Sequence, residues 1–118
     1  MPDPNKGNPI VDMDELKEIM DNDMELIQDC FTEFLTDLPD LLGDIQTAIS
    51  QKDAEKMNST GHKLKGTLKY LAAEPAAKAA QVIESAGSNH DLENLDEKFS
   101  TLERECENLT AFIKGFTP

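Results

Sequence analysis

The cysteines and histidines, the side chains best suited to attack an electrophile or bind a transition metal, number four in this 118-residue chain: Cys30, Cys106, His62 and His90. They are too few and too scattered for a zinc cluster, and the cysteines form no C-x-x-C. A di-iron bundle would place Glu three residues before a histidine on two helices, but Ser59 and Gly87 stand there. There is no P-loop and no glycine-rich dinucleotide loop. The sequence therefore points to no metal, no cofactor and no nucleotide site. What remains is His62-Lys63-Leu64-Lys65-Gly66. A neutral imidazole nitrogen can accept a phosphoryl group as a labile covalent intermediate. Such transfer is mainly positioning plus neutralisation of charge on the phosphoryl oxygens. Lys65 and Lys69 can supply that charge, and the donor must then be another protein. The plain alternative is a histidine idle on the surface, beside lysines of an ordinary solvated face.

Helical geometry separates these residues from the core. The stripe Ala54, Met57, Gly61, Leu64, Leu68, Leu71 has helical spacing. At roughly 100° per residue, His62 lies about 130° from the centre of that stripe. Asn58, Lys65, Gly66 and Lys69 share its side, at i−4, i+3, i+4 and i+7. A glycine inside a helix costs about 1 kcal/mol against alanine. Gly66 is off the stripe, so its missing side chain suits the close approach of another protein. Gly61 is on the stripe, where it can let a neighbouring helix come near.

The elements that position this segment are all helical. Asp12 with Glu15 reads as the cap of a short helix whose apolar side is Leu16, Ile19 and Met20. A second stripe covers residues 24–49 and stays in phase through Pro39, which predicts a kinked rather than a broken helix. Asp53 caps a third helix over residues 54–73. Pro75 opens a fourth, rich in alanine, which Gly87 should end as a C′ residue. A fifth runs from Leu92 to Phe116. Residues 1–9, with three prolines and a glycine, read as a flexible lead-in or linker, and the domain spans 10–118. No strand pattern is present. The expected fold is all-α: an antiparallel four-helix bundle with an additional short N-terminal helix.

Composition narrows the partners. The formal charge is −13, which argues against a nucleic-acid binder, since that needs a basic face. At 38% hydrophobic the chain is too apolar for a disordered acidic tail. No run approaches the ~20 apolar residues of a membrane span. No apolar signal-peptide core opens the chain, and two thiols make no disulfide framework, so a reducing, cytoplasmic setting is expected. The charge is uneven: residues 56–78 hold five lysines and one acid, Glu74, leaving −17 elsewhere. The basic segment is the one that carries His62.

With His-x-x-Lys-Gly on the third helix of an acidic bundle, the chain resembles the histidine-containing phosphotransfer (HPt) domains of two-component phosphorelays. The likeness runs from about Ile10 to Phe116 and takes in Leu38-Pro39-Asp40-Leu41-Leu42, the Asp53-Ala54 turn and the alanine-rich helix ending Ile83-Glu84. The resemblance implies that His62 carries the phosphoryl group, that Lys65 steadies it and that Gly66 clears room for a docking partner. Lys69 adds a second phosphate contact by its spacing. The position of Glu84 lies across from the histidine in the family and is often polar; here it is an acid. After the motif the family has small residues and a glycine near position 72, where this chain has Lys69, Tyr70 and Ala72. Implied partners are receiver domains, which hold the Mg²⁺, or a sensor histidine kinase. The domain is then a monomeric carrier and not an enzyme. Docking residues on the first helices would be Met13 and Leu16, with Asn58 and Gly66 on the third. Two other readings share the sequence features: the phospho-accepting domain of a chemotaxis-type kinase, and a helical adaptor whose His62 is idle.

Overall fold

Three aspartates open the first three helices. Asp12, Asp23 and Asp53 each accept a hydrogen bond from the backbone N–H three residues on, at 3.1, 3.0 and 3.1 Å. They start α1 (Met13–Ile19), α2 (Met24–Ser50) and α3 (Ala54–Tyr70). Pro75 stands in the first turn of α4 (Glu74–Ser88), and α5 (Leu95–Lys114) follows a left-handed Asn94. This computed structural model describes residues 9–116; the lead-in expected over residues 1–9 lies, apart from Pro9, outside the described residues. The described residues hold five helices and no strand, a four-helix bundle with α1 added at its N-terminal end.

Helix α2 continues through Pro39, which sits on the exposed side. Its missing N–H leaves the Leu35 carbonyl without a helical donor. Helix α3 ends three residues before the sequence suggests. Ala72 takes a left-handed φ of 55° and turns the chain, and Ala73 then becomes the N-cap of α4. The same turn anchors α1, because the Asp12 amide donates to the Ala72 carbonyl at 2.9 Å. Helix α5 starts later than expected, so Leu92 is exposed in the preceding turn.

Gly87 does not end α4. It is buried inside the helix, and the left-handed residue after the helix is His90. A Cβ at position 87 would overlap the Ala54 carbonyl and the Asn58 amide. Its lack of a side chain serves packing, since α3 and α4 form the most extensive helix pair of the bundle.

The core joins all five helices. Leu16, Ile27, Phe31, Ile45, Leu64, Leu68, Ile83, Leu102 and Leu109 are fully buried. Burying each such side chain contributes about 1.5–3 kcal/mol. Phe31 stacks edge-on against Phe116, ring centroids 5.2 Å apart, which ties the end of the chain to α2. Cys106 is buried, and desolvation pushes its thiol up to about 12. Burial raises Cys30 as well, so both behave as small apolar side chains.

Candidate functional site

His62 rides on the outer side of α3 with 69% of its side chain exposed. Its Nδ1 lies 2.8 Å from Oε2 of Glu84 on α4. The other carboxylate oxygen, Oε1, is shielded from solvent, and the Lys65 ammonium 2.6 Å away compensates its charge as an ion pair. Glu84 and Lys65 are only 18% and 17% exposed. His62 and Lys65 are three residues apart, so one turn of α3 presents both to a single carboxylate. The Glu84 carboxyl is held below its ordinary value, chiefly by Lys65 and then by the His62 hydrogen bond, with burial pulling the other way.

That geometry selects a tautomer. An ionised carboxylate can only accept, so the hydrogen bond requires the proton on Nδ1. In the neutral ring Nε2 is then left with the free lone pair. The site offers a nucleophilic nitrogen in water, oriented from behind by an acid.

Helix α4 reaches this position because two glycines let it. A Cβ on Gly61 would stand 2.8 Å from the Glu84 amide nitrogen and 3.0 Å from its Cα. Gly87 meets α3 in the same way one turn further along. Asn58 is half-buried in this seam, and its Nδ2 donates to the Glu84 carbonyl at 3.1 Å. Asn58, expected at a docking face, thus also bonds across to α4.

The remaining candidates are dispersed. Lys69 is exposed, lies about 10 Å along the axis from His62 by helical rise, and has no ion-pair partner within 4 Å among the described residues. Gly66 is exposed one turn from His62, and a Cβ there would meet nothing within 4 Å. It borders an open groove of about 480 Å³ between α2 and α3, with Phe34 and Leu71 below and Glu33, Asp37 and the exposed Tyr70 at the rim. Leu16 cannot dock anything: it is 0% exposed, because the apolar side of α1 turns inward onto the bundle. Met13 is half-buried against the same core. The exposed apolar side chains of the first two helices are Ile19 and Leu26. The resemblance places Glu84 across from the histidine but assigns it no role; the structure pairs it with both His62 and Lys65. Its signal was there, as the only acid in α4 beyond Glu74 at the helix start.

Comparison with known proteins agrees with this geometry. The sequence profile of the Hpt domain matches residues 29–112, more than two thirds of the chain. The structure is similar to that of histidine-containing phosphotransfer protein B (HptB) from Pseudomonas aeruginosa PAO1, with a TM-score of 0.76 and 22% identity over 91% of this chain and 93% of that one. It is also similar to the HPT domain of the Hpt sensor hybrid histidine kinase from Shewanella, with a TM-score of 0.75 and 27% identity over 89% and 91%. A search of the curated proteins gives no match. No helix among the described residues is long and apolar enough to cross a membrane. The helical bundle, the exposed histidine and the profile match lead to one conclusion: the chain belongs to the Hpt domain family, with a phosphotransfer role in two-component signalling.

Proposed function

We propose that His62 is the phosphoryl carrier and that Nε2 is the atom that bonds to phosphorus. The donor is an aspartyl phosphate on a receiver domain, and a second receiver takes the group on. In the forward step the Nε2 lone pair attacks phosphorus. A P–N bond forms, the acyl P–O bond breaks, and the aspartate carboxylate leaves with the bonding pair. Positive charge develops on the imidazole as this happens. The Glu84 carboxylate, 2.8 Å from Nδ1, stabilises that charge and can take up the Nδ1 proton. The observation that carries the reading is this pairing of a tethered Nδ1 with a ring open to approach.

The lysines act differently from one another. Lys65 holds Glu84 ionised and in place, and its ammonium is near enough to meet the phosphoryl oxygens once they arrive. Lys69 adds to the positive field of the face. Gly66 and the groove beside it form the surface onto which a receiver settles. The protein works as a cytoplasmic carrier, and the group it holds is always made by another protein.

The test is transfer from a phosphorylated receiver domain. Label that is acid-labile and base-stable should appear on the wild type, vanish in His62→Gln and persist in His90→Gln. Equal labelling of His62→Gln would overturn the assignment. Labelling of His62 by a histidine kinase with ATP, and by no receiver, would replace the relay reading with the chemotaxis-type one.

A further inference from the structure

Glu84 is gripped by α3 at three separate points. Its carbonyl accepts from Asn58 Nδ2 at 3.1 Å. Its amide nitrogen lies 2.8 Å from where a Cβ on Gly61 would stand. Its two carboxylate oxygens meet His62 and Lys65. We propose that Asn58 and Gly61 are positioning residues for phosphoryl transfer, acting on His62 through the backbone of Glu84. The proposal builds on the assignment of His62 as the acceptor and adds the residues that set its tautomer.

A glutamate side chain is flexible, and a carboxylate near an exposed ring could rotate away. Here the two oxygens serve different partners at 2.8 and 2.6 Å. A rotation that follows one partner loses the other, so both contacts persist only while the backbone of residue 84 stays where it is. Asn58 and Gly61 fix that backbone. Asn58 stands one turn before His62 and draws the carbonyl in. Gly61, next to His62 in sequence, leaves α4 room to approach. A methyl group at 61 would stand 2.8 Å from the Glu84 amide, closer than side-chain carbons pack against backbone, so α4 must shift outward. A move of α4 away from α3 lengthens the contacts that Glu84 makes to that helix, the Nδ1 hydrogen bond among them. With that bond weakened, the ring exchanges its proton between Nδ1 and Nε2, and the Nε2–H form has no lone pair at the transferring atom.

Nitrogen-15 NMR of the His62 ring reads the tautomer directly. A small-molecule donor, phosphoramidate, reads the reactivity of the nitrogen without any docking partner. The wild type should show the Nδ1–H form. Gly61→Ala and Asn58→Ala should each mix in the Nε2–H form. Labelling by phosphoramidate should slow by about tenfold, given that a ~1 Å misplacement costs ~10²-fold. Asn58→Ala removes a donor and adds no bulk, so it stays informative if Gly61→Ala folds poorly. Ile113→Val, a core change on α5, should lower Tm and leave the tautomer alone. If folded Asn58→Ala and Gly61→Ala keep the wild-type tautomer and labelling rate, the proposal is overturned. The tautomer is measured with no phosphoryl group present, so a failure of the acceptor assignment would show separately, as absence of label on wild-type His62.

Discussion

A methyl group placed on Gly61 would stand 2.8 Å from the Glu84 amide; one placed on Gly66, five residues further along α3, would meet nothing within 4 Å. Both positions carry the same penalty in a helix, about 1 kcal/mol against alanine. At Gly61 the penalty is offset inside the molecule, by the close packing of α4 and the acid it delivers to His62. At Gly66 nothing inside the molecule offsets it. The seam between α3 and α4 is closed and holds the acid that meets the histidine. The face between α3 and α2 is left open, and on the proposed function its openness belongs to the partner. One helix thus separates positioning from access by turning a different side to each.

This contrast can be tested by the same small substitution at three places. Gly87→Ala should have the largest effect, since its Cβ overlaps two backbone atoms of α3. Overpacking against backbone that cannot yield should destabilise by about 3 kcal/mol, read from urea unfolding. Next come the two positions compared above, with opposite signs. Gly61→Ala should lose about 1 kcal/mol after the helix-propensity gain is set against the clash, and Gly66→Ala should gain up to about 1 kcal/mol. Equal shifts of one sign would break the comparison. Gly66→Gln should keep the fold and still slow transfer from a receiver, because it obstructs only the open side.

The smallest effect concerns pH. Glu84 is held below its ordinary value in the folded protein, mainly by Lys65. A depressed carboxyl contributes stability that is present above its unfolded pKa and lost as pH falls through the folded one. Lys65→Met removes the main cause of the shift. Wild type and Lys65→Met should therefore differ in stability at neutral pH, by no more than about 1 kcal/mol for a pair near the surface. The gap should close as the carboxyl protonates in acid. A gap that is constant with pH would detach Lys65 from Glu84.

Much of this was legible in the sequence, for local reasons. Asp12, Asp23 and Asp53 cap helices because an aspartate before an apolar periodic run has few other uses. His62, Lys65 and Gly66 are close in the chain, so helix geometry alone places them on one side. The misreadings share a different cause. Gly87 looks like a helix stop, and only the register of α3 against α4 makes it a packing residue. Leu16 and Ile19 are both apolar members of α1, and periodicity does not say which one a neighbour covers; the fold buries the first and exposes the second. Glu84 was not misread but left without a role: it lies 22 residues from His62, and only the resemblance, not helix periodicity, sets the two opposite each other.

The exposure of His62 has a consequence in time. With 69% of its side chain in solvent and no segment folded over it among the described residues, the ring has no lid. A phosphoryl group on Nε2 would stand in bulk water from the moment the donor leaves. Its lifetime is then that of the P–N bond itself, and the fold does little to prolong it. On the proposed function, the carried group would last only as long as the P–N bond, so the next receiver would have to arrive before spontaneous hydrolysis does. A carrier of that kind would forget by default, its memory set by how often it is met.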